Sequence, residues 1–255
     1  MSTTPKRFNL AEGFRQSFEI LPALTDSLRN DVYFIRHDVY ARELGFEPVR
    51  EDQRETDAYD RRSLHCLLRT ANEPRRLVGC ARLVLADPAA PEALLPLEIY
   101  CRETLDRSVI DPSQLPRERM AEVSRLAVMA DFRRRKGEQG REVSIQDGDF
   151  GDAQQSRFPY IPVSLYIGAV ALAQRHGIEY LLTLTEPRLA QHFAKLGVNI
   201  VPIGAPVEHR GMRVPSLMRV SDIVSGLRLF VRPLWRTINE QIAAAYGDAP
   251  VKPAP

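Results

Sequence analysis

The segment "IEYLLTLTE" (178–186) constrains the fold of this chain more than any other. It is a strand-length run that is apolar almost throughout, and such strands lie inside sheets covered on both faces. The preceding segment, "IPVSLYIGAVALAQRHG", reads as a helix, with Pro162 near its start and Gly177 just past its end. It is shorter than a bilayer span and ends in charges, so it belongs to a core rather than a membrane. Upstream, "LHCLLRT" (64–70) and "RLVGCARLVLA" (76–86) read as two strands around the turn "ANEPR". Strand runs followed by helices give an α/β or α+β order, and 255 residues suit one large α/β domain or two small ones, with length enough for a sizeable core.

Other segments fill in this order. "DSLRNDVYFIRHDVYARELGF" reads as a helix stopped by Gly45, with Arg36 and Tyr40 four apart on one face. "EPVREDQRETDAYDRRS" is too polar for core and reads as an extended surface loop. "YCRETLDRSVI" is a candidate short helix, and "PRLAQHFAKLG" is a helix with Leu189, Phe193 and Leu196 on one side. "VNIVPIG" and "MRVPSLMRV" read as strands. The tail "DIVSGLRLFVRPLWRTINEQIAAAYG" reads as helical with a kink or break at Pro233, and Arg228, Arg232 and Arg236 recur every fourth residue. Such a basic helix either docks on the domain or meets an anionic partner or lipid surface. The expected division is one domain over 1–225, a C-terminal helical segment over 226–248 and a disordered tail over 249–255.

"MAEVSRLAV" (120–128) is a further strand, and it holds Glu122 and Arg125. Residues three apart point to opposite faces of a regular strand. The two charges therefore act together only across a bulge, or each finds its own partner, because an unpaired buried charge costs several kcal/mol. Arg36, Asp57, Asp60 and Arg82 are the upstream candidates. The loop "FRRRKGEQGR" offers positive charge and glycines to a phosphate, or is a solvated charge run.

Composition narrows the function. The 35 basic and 33 acidic residues leave a net charge of +2, which argues against a nucleic-acid binder. Three cysteines without a CxxC pair argue against a disulfide framework or zinc site, and Cys66 and Cys80 read as small buried hydrophobes in a reducing compartment. There is no GxGxxG after a strand, no P-loop, no HExxH and no GxSxG. The N-terminal stretch lacks the apolar run of a signal peptide, so the expected location is cytoplasmic.

The set Arg36, Tyr40, Phe46, Asp57, Asp60, Arg82, Glu122 and Arg125 resembles the signature of the acyl-homoserine-lactone (autoinducer) synthases, which lie within the GNAT N-acyltransferase superfamily. It is carried by "RHDVYARELGF", "DAYD", "GCARL" and "EVSRL", over roughly residues 30–130. Phe46 stands where that family has tryptophan, and Leu126 where it has an aromatic after "SR". The second half, through "EHRGMRVPS", is more similar to acyltransferases associated with the PEP-CTERM/exosortase sorting system, which are close to the N-acyl amino acid synthases.

The resemblance implies a GNAT-type α/β fold, with a mixed central sheet flanked by helices. It implies transfer of a fatty acyl group from acyl carrier protein, through its acyl-phosphopantetheine (or from acyl-CoA), to a primary amine, with no permanently bound cofactor and no metal. That chemistry needs a base, preset oxyanion donors and an apolar channel. Glu122 is the expected base or its water relay, with Arg125 at the thioester or holding the acids. The expected substrate-binding set is Arg36, Tyr40, Phe46, Asp57, Asp60, Arg82, Leu126, Ala127 and Val128, the last three flanking the oxyanion amides. Arg133, Arg134, Arg135 and Lys136 are the expected carrier-docking residues. The helix beginning near Pro162 is expected to aim its N-terminal amides at the pantetheine phosphate. An acyl-homoserine-lactone synthase using S-adenosylmethionine is the alternative product reading. A non-catalytic acyl- or carrier-binding module and an acetyl-CoA-dependent acetyltransferase are alternatives of other kinds.

Overall fold

The computed structural model describes residues 9–133 and 159–247. Its strands are β1 (Phe18–Pro22), β2 (Ser63–Thr70), β3 (Leu77–Leu85), β4 (Met120–Val128), β5 (Tyr180–Thr185), β6 (Val201–Pro202), β7 (Val207–Glu208) and β8 (Met212–Arg219). They form one mixed sheet in the order β1-β2-β3-β4-β5-β8-β6, with β7 pairing β8 off that path. Among the described residues only β4 and β5 run parallel, and every other pair is antiparallel. Their parallel ladder is short, joining Met120–Val123 to Tyr180–Thr183. Beyond Val123 the two central strands separate.

Helices cover both faces of this sheet. On one face lies α4 (Tyr160–Arg175), buried continuously from Ile161 to Ala173. Such a helix is apolar all round because it is enclosed all round. It packs on β2, β3 and β4 beneath α7 (Arg232–Tyr246), which also contacts β1 and α1 (Leu10–Ser17). α6 (Val220–Gly226) adds Ile223 to the same core. On the other face α2 (Asp26–Arg36) packs on β2, β3 and β4. α3 (Pro96–Tyr100) contacts β5 there, whereas α5 (Pro187–Lys195) contacts β8 and adds Phe193 to the core shared with α4. Alternate residues of β2 divide between the faces, with Cys66 and Leu68 toward α4 and Leu67 toward α2. No helix among the described residues is long and apolar enough to cross a membrane.

Three local expectations are corrected. The kink alternative at Pro233 is corrected to a break: α6 ends at Gly226, and Pro233 occupies the first turn of α7, where its missing N–H costs nothing. The helix expected over "YCRETLDRSVI" lies earlier, at Pro96–Tyr100, and the residues after Tyr100 are mostly turn. Its start is again a proline in the first turn, with Glu98 accepting from the Leu95 N–H at 2.8 Å. The polar segment 47–63 is not simply a surface loop, because Glu55 within it is buried. The helix α2 also continues past Arg36 as a π-helical turn, His37–Glu43, before Gly45 adopts φ +66°.

Close approach of α4 to the sheet depends on Gly168. A Cβ there would lie 2.5 Å from Ile20 Cδ1 and 2.6 Å from Cys66 Sγ. Gly168→Ala is expected to destabilise the fold by about 1–3 kcal/mol in urea unfolding, since both neighbours are fully buried and must shift.

Candidate active site

The bulge that Glu122 and Arg125 require is present. Cys80 of β3 stands opposite Ala127, but Arg82 stands opposite Ser124, so β4 carries one extra residue across this interval. Arg125 takes φ +51°, a left-handed conformation that glycine normally fills. The extra residue changes the parity of the strand. Met120 and Glu122 face the α2–α3 side; past the bulge, Ala127 faces that side too. Arg125 is thereby turned onto the same side as Glu122, and both line one cavity of about 430 Å³.

The cavity occupies the gap where β4 and β5 part. One end is apolar, formed by Tyr166, Leu184, Leu189, Phe193, Ile200 and Met218. Tyr166 stacks on Phe193 with ring centroids 4.2 Å apart. The other end is polar, with Glu122, Ser124, Arg125, Arg82 and Asp57, and with Tyr100, His209, Arg210 and Arg213 beyond them.

Among the described residues the polar wall is an alternating cage of four guanidiniums and four carboxylates. Arg36 is fully buried at the end of α2. Its Nε donates to Glu55, and its two Nη atoms donate to Asp60 at 2.6 and 3.1 Å. Arg82 reaches Asp57 at 2.7 Å, Asp60 at 3.0 Å and the Ser124 hydroxyl at 3.1 Å. Arg125 pairs with Glu55 at 3.0 Å, Glu47 at 3.3 Å and Asp57 at 3.5 Å, and lies over the Tyr40 ring. Arg210 closes the cage, pairing with Glu47 at 2.6 Å and lying over the Phe46 ring. Tyr40 also donates its hydroxyl to the Leu126 carbonyl at 3.3 Å.

These contacts separate two kinds of carboxylate. Burial pushes Glu55 and Asp60 up, but Arg36 beside both, with Arg125 beside Glu55 and Arg82 beside Asp60, outweighs it and holds each at about 2. Glu122 is not part of the cage. Burial drives its carboxyl up to about 7, against the Leu97 N–H that donates to it at 2.7 Å and the charge of Arg82. The Leu97 amide is fixed by α3, whose Glu98 pairs with Arg117 at 2.8 Å. His65, 3.7 Å from Asp60, is pushed down to about 3 by burial and by Arg36, so it stays neutral.

The residues singled out from sequence fall into three groups. Tyr40, Asp57, Arg82, Glu122, Arg125 and Leu126 line the cavity. Arg36 and Asp60 stand behind its wall in the cage, and Phe46 supports Arg210. Ala127 and Val128 are packed in the two cores rather than in the cavity wall. Arg133 pairs with Glu43 next to the π-helical turn. Arg134, Arg135 and Lys136 lie outside the described residues. Sequence reasoning missed Glu47 and Glu55, which sit inside a polar run, and His209, Arg210 and Arg213. The last three belong to "EHRGMRVPS", a stretch whose likeness to other acyltransferases carries no site assignment of its own.

Residues 35–141 match the model of the acetyltransferase (GNAT) domain. This domain makes the chain an acyltransferase. Solved structures share its fold. TofI, crystallised in a ternary complex with an inhibitor and MTA, is 21% identical with a TM-score of 0.57, over 85% of this chain and 99% of its own. BjaI, a CoA-dependent acyl-homoserine lactone synthase with SAM and isopentyl-CoA, is 20% identical with a TM-score of 0.54, over 88% and 90%. FeeM, an N-acyl amino acid synthase from uncultured soil microbes, is 13% identical with a TM-score of 0.54, over 84% and 96%. A search of curated proteins found no match.

The two kinds of carboxylate respond differently to removal of charge. Glu55→Gln removes one of two acidic partners of a fully buried guanidinium, and is expected to cost about 3–5 kcal/mol in urea unfolding at pH 7. For Glu122 the sign is opposite. A carboxyl raised in the folded state weakens folding progressively as pH rises from its ordinary value near 4.5 to about 7. Glu122→Gln should therefore gain stability over the native protein across that interval, by on the order of 1–3 kcal/mol between pH 5 and pH 8. Unchanged relative stability at the two pH values would contradict the assigned burial of charge.

Proposed function

We propose that this acyltransferase moves a fatty acyl group from the phosphopantetheine of acyl carrier protein to the amine of an amino acid, giving an N-acyl amino acid. The observation that carries the reading is one cavity with two ends: an apolar end suited to an acyl chain, and a polar end where Glu122 stands at about 7. An amine attacks a thioester only after losing a proton. A base poised near neutral pH, held apart from the cage in which Glu55 and Asp60 stay ionised, is the group for that step.

The steps use the groups present. The ammonium of the acceptor enters among Asp57, Glu122 and the neighbouring charges. Glu122 takes its proton, directly or through a water, and the amine nitrogen bonds to the thioester carbon. The resulting oxyanion is served by backbone amides at the bulge, where Arg125 and Leu126 have no residue opposite them on β3 or β5. Collapse of the intermediate breaks the carbon–sulfur bond, and the pantetheine thiolate takes up the second proton, which the nitrogen sheds as it becomes an amide. Arg125 contributes by holding Glu47, Glu55 and Asp57 in place rather than by reacting. FeeM, an N-acyl amino acid synthase, shares this fold. The resemblance of the second half to exosortase-associated acyltransferases suggests a role beside a protein-sorting system.

A second product reading has its own support. Several neighbours in fold are acyl-homoserine lactone synthases, one of them bound to SAM, and BjaI is CoA-dependent. On that reading the acceptor is S-adenosylmethionine, and turnover with acyl-CoA against acyl carrier protein identifies the donor. Against it stand Phe46 and Leu126, which replace two aromatic positions of the autoinducer synthase signature.

Mass spectrometry of lipid extracts from a bacterium expressing the protein tests the choice. New N-acyl amino acids are the expected outcome, whereas N-acyl homoserine lactone would replace the acceptor assignment. In purified protein, kcat/KM should rise with pH to a plateau just above pH 7, because only ionised Glu122 accepts the proton. Glu122→Gln should lower kcat by about 10²–10⁴ and abolish that limb. An unaltered profile in this variant would remove Glu122 from the base role.

A further inference from the structure

The connection between α6 and α7 presents two adjacent apolar side chains to solvent. Leu227 and Val231 are buried, while Leu229 and Phe230 between them project outward, 79% and 50% exposed. They are two of the largest apolar side chains left to solvent, and they are adjacent. Arg228, Arg232 and Arg236 surround them, all exposed. The first two arginines cap helix ends. Arg228 Nε donates to the Lys195 carbonyl at the end of α5, and Arg232 donates to the Leu227 and Ser225 carbonyls at the end of α6. Their guanidiniums are thereby fixed around the tip. Among the described residues no carboxylate pairs with any of the three. Glu240, one turn beyond Arg236, is drawn instead to Arg15 at 3.7 Å.

We infer that this tip docks the protein on an anionic lipid surface, with Leu229 and Phe230 entering the headgroup boundary and the three arginines meeting lipid phosphates. The shape decides for lipid over a protein partner. Two side chains on a convex turn supply far less than the roughly 1,000 Å² that a stable protein interface buries. A short apolar tip ringed by arginines is sufficient for reversible binding in the plane of a bilayer. The orientation has a use. Docking turns toward the lipid the side of the molecule formed by α5, whose Phe193 lines the apolar end of the cavity. The inference rests on the tip alone and holds whichever acceptor the cavity takes.

Vesicle sedimentation tests it without any turnover measurement. The full chain is expected to bind vesicles of phosphatidylglycerol and phosphatidylcholine in equal parts, to release them as salt rises, and to leave pure phosphatidylcholine vesicles unbound. Leu229→Ser with Phe230→Ser should weaken binding by at least about tenfold. Arg236→Gln, whose guanidinium caps no helix, should weaken it by roughly fivefold. Both variants should keep the native unfolding midpoint, since all three side chains are exposed. No binding by the native chain, or undiminished binding by the double variant, would overturn the inference. So would self-association that the double variant abolishes in the absence of vesicle binding, which would assign the tip to a second copy of the chain.

Discussion

The architecture of the site depends on one charge that has no access to water. Arg36 ends α2 with its guanidinium fully buried against the sheet. Left alone there, it would unfold the domain, because a buried unpaired charge costs a large part of a typical total stability. Glu55 and Asp60 supply the opposite charge, and both come from the polar segment after the π-helical turn. Satisfying Arg36 therefore draws that segment across the sheet. Once there, it carries Asp57 to Arg82 and Glu47 to Arg125 and Arg210. The wall of the cavity is a consequence of neutralising a single residue behind it.

The same arrangement explains how carboxylates in one small region hold different protonation states. Glu55 and Asp60 are pinned as anions by the arginines around them. Glu122 sits on the central strand with a backbone amide as its direct donor, and burial dominates. The bulge makes this division compatible with one strand. It lets Arg125 join the cage while Glu122, three residues earlier, faces the same space without entering it. The left-handed backbone at Arg125 is a local strain of order 1–3 kcal/mol, and its ion pairs hold it in place.

Much of this was legible in the chain, for identifiable reasons. Strand β4 spans the expected residues 120–128, because apolar residues dominate it, and of the two arrangements its charges allowed, a bulge or separate partners, the bulge is present. The helix α4 and strand β5 were equally clear from their continuous apolar content. Glu55 was not legible. A carboxylate in a run of charges has the same local pattern whether it is solvated or faces a buried arginine, and only the tertiary fold distinguishes them. Pro96 and Pro233 share a related ambiguity. Proline breaks a helix in its interior but begins one in its first turn, and the sequence around each supports both readings until the packing partners are known.

The short parallel ladder between β4 and β5 divides the sheet into two slabs joined at Met120–Val123 and Tyr180–Thr183. Glu122 lies within that joint, opposite Leu182, and the strands part only beyond Val123. A wedge that opens by a small angle moves its mouth far more than its vertex. Breathing of the two slabs would thus let the far end fit occupants of different girth, while the Glu122 carboxyl at the joint keeps its place. Tolerance and exactness are assigned to opposite ends of one lever.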